Sequence, residues 1–246
     1  MNAVRESALR RAGQLRDRQP GDEEIVPVVP PLRTLFPAGG LVKGQVAAVD
    51  EYGALCLALM AGASAAGAWC VVCGVPEFGV VAAAQAGVEP DRLLLVPDPG
   101  EDWARVAATL IGACEFVLLR PPQPTAARVR RRLEATLRRG RGVLLVAGDW
   151  PGARVRLRVV TRRWTGLGDG HGRLRACQAE VVAEGRGAAG QPRAQWLLLP
   201  APDGTVTAAE VPEAAMAALT GPAHRSFGKP ALARNEHVHD KGKLAL

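Results

Sequence analysis

The chain has 246 residues, 48% of them hydrophobic and 4% aromatic, and it carries a formal net charge of +7 with a pI near 9.7. This length is enough to bury a sizeable core, and the positive charge favours an acidic partner such as nucleic acid or an acidic protein surface. The sequence shows no membrane-spanning or signal-peptide pattern and five irregularly spaced cysteines, so we expect a cytoplasmic protein rather than a membrane or secreted one.

The chain begins with a predicted amphipathic helix over residues 3–17. Apolar residues recur there at helical spacing, at Val4, Ala8, Ala12 and Leu15. A charged, proline-rich linker is predicted at residues 19–31. We therefore assign residues 1–31 to an N-terminal helix and linker.

Strands and helices alternate through the next part of the chain. The predicted strands are 44–49, 68–73, 92–96, 116–119 and 142–147. The predicted helices are 54–66, 79–86, 101–113 and 125–139. This alternation is typical of βαβ crossovers, and it predicts an α/β fold with a mostly parallel sheet flanked by helices on both faces.

The pattern changes after Pro151. Residues 154–163, 174–183 and 195–199 are predicted strands joined by glycine-rich turns, which indicates antiparallel strands at one edge of the sheet. From residue 220 the chain is polar and basic, and too poor in apolar residues to order itself. We therefore assign residues 32–219 to one domain and residues 220–246 to a flexible basic tail.

Four segments, taken in their order and spacing, resemble one superfamily. They are PAGGLVKGQV at residues 37–46, AGVEPDRLLLVPDPGEDW at 86–103, RVRRRLEATLRRGRGVLLVAGDWPG at 128–152, and RWTGLGDGHGRLRACQAEVVAEGRG at 163–187. With these segments the chain resembles the RecA/SulA/ImuA superfamily, and within it the actinobacterial ImuA-prime type proteins, accessory factors of SOS mutagenesis. The resemblance implies a RecA-like core. Together with the elements predicted above, the fold is expected to be this core with antiparallel C-terminal strands, an N-terminal helix and a disordered C-terminal tail.

The chain departs from RecA where RecA binds and hydrolyses ATP. The first core strand runs into EYGALCLALMAG, residues 51–62, which lacks the Lys and Ser/Thr of a phosphate-binding loop. Arg120 stands where a Mg²⁺-binding carboxylate is expected, and the DNA-binding loop is reduced to residues 149–154. Glu77 lies near the position of the water-activating glutamate, but in the different context VPEF. We therefore predict no enzyme and no cofactor; the alternative is a divergent RecA-like ATPase acting on DNA through an unrecognised phosphate site.

Two motifs could suggest metal binding. Cys70 and Cys73 form a C-x-x-C pair, but positions three apart on a strand point to opposite faces, so we predict that both are core residues. His224, His237 and His239 lie in the tail without an acidic or cysteine cluster, and we interpret them as part of a solvated tail. We predict no metal site.

The helix at 125–139 provides the strongest sign of an interaction surface. Its apolar side carries Ala126, Val129, Leu133 and Leu137. Its opposite side carries Arg128, Arg131, Arg132, Arg138 and Arg139. In the next strand Arg154, Arg156 and Arg158 share one face. These eight arginines are candidate contacts to an acidic protein or a phosphate backbone; the alternative is a solvated basic face. Candidate contacts in the tail are Arg225, Phe227, Lys229 and Arg234.

The resemblance implies a function as well as a fold. It implies a non-catalytic adaptor in DNA-damage-induced translesion synthesis that bridges RecA and ImuB, in support of an error-prone C-family DNA polymerase. Any direct DNA contact would be weak, and the N-terminal helix would dock on a RecA protomer or on a second copy of the chain. A SulA-like cell-division inhibitor is the other alternative.

Overall fold

The computed structural model describes residues 24–140, 142–167, 172–186 and 190–212. All helices and strands given below belong to a compact unit that ends at Glu210. The predicted N-terminal helix at 3–17 lies outside the described residues, as do the tail at 220–246 and its histidines. The tail candidates Arg225, Phe227, Lys229 and Arg234 therefore remain predictions.

A small antiparallel ribbon opens the described fold. Strand β1 (Ile25–Pro27) pairs with β2 (Gly40–Val42), and a 3-10 helix (Pro30–Leu35) lies between them. Val26 and Val28 are buried in the main core. The segment predicted as a linker is thus in part folded, because its valines pack on the domain, and the predicted boundary at residue 32 falls inside folded structure.

A mixed sheet lies at the centre of the described residues. Its strands are β3 (Val46–Val49), β4 (Cys70–Cys73), β5 (Leu93–Val96), β6 (Phe116–Leu119), β7 (Val143–Ala147), β8 (Val155–Leu167), β9 (Gly172–Gly185), β10 (Arg193–Leu198) and β11 (Thr207–Ala208). They are arranged in the order β5-β4-β6-β7-β3-β8-β9-β10-β11. Neighbours from β5 to β8 are parallel and those from β8 to β11 are antiparallel. The predicted mostly parallel core with antiparallel strands at one edge is therefore confirmed.

Helices cover both faces of the parallel part of the sheet. They are α1 (Ala54–Ala65), α2 (Val80–Gln85), α3 (Trp103–Ala113) and α4 (Ala127–Arg139), with a further 3-10 turn at Pro90–Arg92. Ala47 and Val49 pack in a core cluster with α1 and the ribbon, whereas Val46 and Ala48 pack in a second cluster with α3 and α4. This division follows from the period-two alternation of side chains along a strand.

None of the helices in the described part of the chain is both long enough and apolar enough to cross a membrane.

Candidate functional site

The turns after the five parallel strands β3 to β7 line a cleft of about 770 Å³. The carboxyl ends of parallel strands meet at one edge of the sheet, and this edge is where open α/β sheets bind their ligands. Charged and aromatic side chains from four of these turns reach the cleft, namely Asp50, Glu51, Tyr52, Glu77, Asp98, Trp103 and Arg120. The cleft is therefore the candidate functional site.

The turn between β3 and α1 presents carboxylates to the cleft. The Arg156 Nη1 donates to Asp50 Oδ1 at 3.0 Å, and the Arg162 Nη2 donates to Glu51 Oε1. Gly53 precedes α1 and offers no side chain to cap the helix. A helix N-terminus favours anions, but here two carboxylates of the chain itself lie beside it. The turn therefore presents carboxylates in ion pairs, and it offers no free cation to a phosphate.

A forked ion pair joins the turns after β4 and β6. The Arg120 Nη2 donates to Glu77 Oε2 at 2.8 Å, while Nη1 donates to the other carboxylate oxygen. The Arg120 Nε also donates to the carbonyl of Gly74 at 3.0 Å. The hydrogen bonds from Arg120 lower the pKa of Glu77, so this carboxylate is a weaker base than an ordinary glutamate. Glu77 is held as a structural anion by this pair.

Tyr52 occupies the wall of the cleft beside this ion pair. Its ring is tilted against that of Phe78, with the ring centroids 6.3 Å apart. Burial raises the pKa of the Tyr52 hydroxyl, which therefore stays protonated at neutral pH. The wall offers a neutral hydroxyl and an apolar ring rather than a cation.

The arginines predicted as contacts at 154, 156 and 158 have partners within the protein itself. Arg156 bridges Asp50 and Asp149, with an Nη2 to Oδ1 distance of 2.8 Å to the latter. Arg158 pairs with Glu184 at 3.2 Å, and Arg154 is half-buried and also has a polar or electrostatic partner. Arg156 and Arg158 alternate along β8 with the buried Val155 and Leu157, whereas Arg154 lies just before this strand. Because none of the three arginines is without a partner, the candidate basic surface is reduced to α4.

The arginines of α4 lie where the helical spacing predicts. Leu133 and Leu137 are buried against the sheet. On the opposite side the exposed residues are Arg128, Arg131, Arg132, Arg138 and Arg139. The Trp150 Nε1 donates to Glu134 Oε1 at 2.9 Å, and this bond ties the helix to the turn after β7.

The C-x-x-C pair lies in the core as predicted. Cys70 packs in the cluster on the α1 side of the sheet, and Cys73 packs in the cluster on the α3 and α4 side. Burial raises the pKa of the Cys70 thiol to about 12 and that of Cys73 to about 11, so both stay protonated and unreactive at neutral pH. Among the described residues no group of three or more His, Cys, Asp or Glu side chains could hold a metal ion.

The sequence analysis did not identify the cleft network as a site. The available signal was the charged residue that directly follows two of the parallel strands, Asp50 after β3 and Arg120 after β6. It also missed the outer edge of the sheet, where β5 pairs with β4 alone in the described structure. Leu94 and Leu95 of this strand are 43% and 41% exposed, and Val81 of the nearby α2 is 73% exposed.

A family model and a relative of known sequence each match part of the chain. Residues 34–152 match the family model described as the MT3502 N-terminal domain. The chain is 35% identical over 127 residues to the uncharacterized protein Rv3395c of Mycobacterium tuberculosis (strain ATCC 25618 / H37Rv), a match that covers 50% of this chain and 62% of that protein. The match thus spans less than two thirds of the relative.

A crystal structure of the RadB recombinase superposes with a TM-score of 0.55 at 13% sequence identity, and covers 74% of this chain and 97% of that chain. The chain therefore has the RecA-like α/β fold that the sequence predicted.

Proposed function

We propose that this RecA-like chain is a non-catalytic adaptor in DNA-damage-induced translesion synthesis, of the ImuA-prime type. It bridges RecA and ImuB in support of an error-prone C-family DNA polymerase. The proposal rests on one observation above all: the cleft that would hold a nucleotide is lined by carboxylates that form ion pairs within the protein. A protein that retains the RecA-like fold can retain RecA-like contacts with other proteins even when it no longer hydrolyses ATP.

Electrostatics support the loss of nucleotide binding. Three carboxylates that line the cleft are each bonded to an arginine: Asp50 to Arg156, Glu51 to Arg162 and Glu77 to Arg120. A phosphate would have to compete with these carboxylates for the guanidinium groups. A phosphate that left these ion pairs in place would still meet the carboxylate of Asp98, which repels it. Arg120 offers little compensation because both arms of its guanidinium group are bonded to Glu77.

We predict that Mg-ATP gives no saturable heat of binding in isothermal titration calorimetry and is not hydrolysed. The physical reason is that the arginines at the cleft are already bonded to carboxylates, together with the absence of a Lys or Ser/Thr in the turn 50–53. An active RecA protein is the positive control. Saturable binding that disappears in Arg120→Ala would contradict the prediction, and would favour the divergent ATPase.

The outer edge of the sheet supports a protein-binding role. Strand β5 leaves one edge unpaired in the described structure, and the exposed side chains of Leu94 and Leu95 flank it. An open strand edge binds an added strand through backbone hydrogen bonds, and apolar side chains beside it provide affinity. We therefore assign one of the two partner contacts to β5.

For the bridging role we predict that the purified full chain retains both RecA and ImuB in a pull-down. In the Leu94→Lys variant the affinity for one of these two partners should fall tenfold or more. In the complex, the lysine charge would lie inside an apolar contact and lose its hydration without gaining a partner, which weakens binding. In the free protein, position 94 is 43% exposed, so the charge stays hydrated and the fold stays intact. Val160→Lys is the matched control, since Val160 is 49% exposed and lies on β8, away from that edge.

Three outcomes decide this test. Retention of both partners by the wild type and loss of one in Leu94→Lys alone supports the proposal. Failure of the wild type to retain either partner overturns the bridging role, and binding to FtsZ polymers in its place favours the SulA-like alternative. An equal loss in both variants overturns the assignment to β5.

A further inference from the structure

The outward face of α4 carries two parallel rows of arginine. At 3.6 residues per turn, Arg128, Arg132 and Arg139 form one row and Arg131 and Arg138 form the other. Ala135 lies between the two rows, so the centre of the face carries only a methyl group. Arg131 and Arg138 are separated along the helix axis by about 10 Å. The face is therefore narrow, basic and open to close approach.

These five guanidinium groups are not neutralised within the described part of the chain. They form no ion pair there, and Arg139 makes one hydrogen bond, from its Nε to the carbonyl of Ala135 at 3.2 Å. The single carboxylate of the helix, Glu134, is engaged by Trp150. Elsewhere Arg105, Arg120, Arg156, Arg158 and Arg162 all pair with carboxylates. Other exposed arginines without an ion pair in the described structure, among them Arg163, Arg173 and Arg175, lie on β8 and β9. What distinguishes α4 is that five unpaired arginines share one face of a single helix.

Concentrated like charge has a cost in the free protein. Arg128 lies three residues before Arg131 and four before Arg132, and like charges at these spacings destabilise a helix. A polyanion placed across the face would remove this repulsion and release its own counterions. The arrangement is therefore complementary to a ligand with regularly repeated negative charge.

The composition of the face distinguishes between two classes of polyanion. Protein interfaces usually place apolar or aromatic side chains at their centre, whereas this face has nothing larger and apolar than Ala135. It also has no aromatic side chain on which unpaired bases could stack. Guanidinium groups match phosphate oxygens in a bidentate geometry, and phosphate contacts need no apolar centre.

We propose that α4 binds the phosphate backbone of duplex nucleic acid through Arg128, Arg131, Arg132, Arg138 and Arg139. The contact is electrostatic and does not read base sequence. It is separate from the cleft and from β5, and it does not depend on the bridging role proposed above. An adaptor that failed to retain RecA or ImuB would still bind duplex nucleic acid through α4.

The test is a salt titration of binding, using fluorescence anisotropy of the full chain with a short labelled DNA duplex. For five phosphate contacts we expect log K to fall against log salt concentration with a slope of about −4.5. The triple variant Arg131→Ala, Arg132→Ala, Arg138→Ala should bind more weakly, with a slope smaller in magnitude by about 3. The matched control is Arg105→Ala, which removes an exposed arginine of α3 already paired with Asp102 and should not change the slope.

A second triple variant with lysine at the same three positions keeps the charge and should keep most of the slope. Circular dichroism and thermal melting show that the alanine variant is folded, as expected for exposed side chains. The proposal is overturned by an absence of duplex binding at low salt, or by an unchanged slope in the alanine variant. It is also overturned if polyglutamate competes as well as unlabelled duplex, since the surface would then fit an acidic protein.

Discussion

Replacing Gly62 by alanine should destabilise the protein by about 3 kcal/mol or more, a large part of the roughly 5–15 kcal/mol by which a folded domain is stable. A Cβ atom at this position of α1 would lie 2.4 Å from the Cα of Val28 and 2.6 Å from the backbone nitrogen of Val29. Both are backbone atoms, so no side-chain rotation can relieve the overlap. The segment that follows β1 would have to move away from the helix. Urea unfolding followed by circular dichroism measures the change.

The expected destabilisation is opposite in direction to the effect of helix propensity, which makes the prediction specific to the packing at Gly62. Alanine is the better helix former by about 1 kcal/mol, so propensity alone favours the substitution. Gly112→Ala in α3 is the matched control, because no atom lies within 4 Å of the added Cβ, and it should be neutral or stabilising. If Gly62→Ala were as stable as Gly112→Ala, the segment at Val28 would not be packed against α1, and residues 25–31 would be a linker after all.

Replacing Trp150 by alanine should cost about 3–5 kcal/mol of the free energy of unfolding. Its side chain is fully buried in the cluster that joins α3 and α4 to the sheet, and it donates a hydrogen bond to Glu134. The substitution leaves a large cavity and removes the donor from a half-buried carboxylate. Chemical denaturation monitored by circular dichroism gives the change in free energy.

Two variants separate the contributions to this loss. Trp164→Ala removes a tryptophan that is 49% exposed on β8, and should cost much less than Trp150→Ala. Trp150→Phe keeps most of the buried ring but not the hydrogen bond, and should have an intermediate cost because a hydrogen bond to a charged group contributes about 1.5–3 kcal/mol. Equal losses for Trp150→Ala and Trp164→Ala would contradict the burial assigned to Trp150.

The sequence by itself determined the fold class and the outward faces of its elements. Buried strands such as 116–119 read as short apolar runs, and the helix at 125–139 shows a 3.6-residue period that correctly separates Leu133 and Leu137 from its exposed arginines. Alternation of strands and helices predicted parallel pairing. These features are local, since propensity and periodicity act over a few neighbouring residues.

Only the tertiary structure decided which charges are paired and where the folded chain begins. Arg120 meets Glu77 across 43 residues of chain and Arg156 meets Asp50 across 106, because β6 lies beside β4 and β8 beside β3. Periodicity does not give the order of strands in a sheet, so it cannot tell a solvated arginine from a paired one. Likewise the three-residue strand β1 is too short for a periodic signal, and it is held by packing against α1 and pairing with β2.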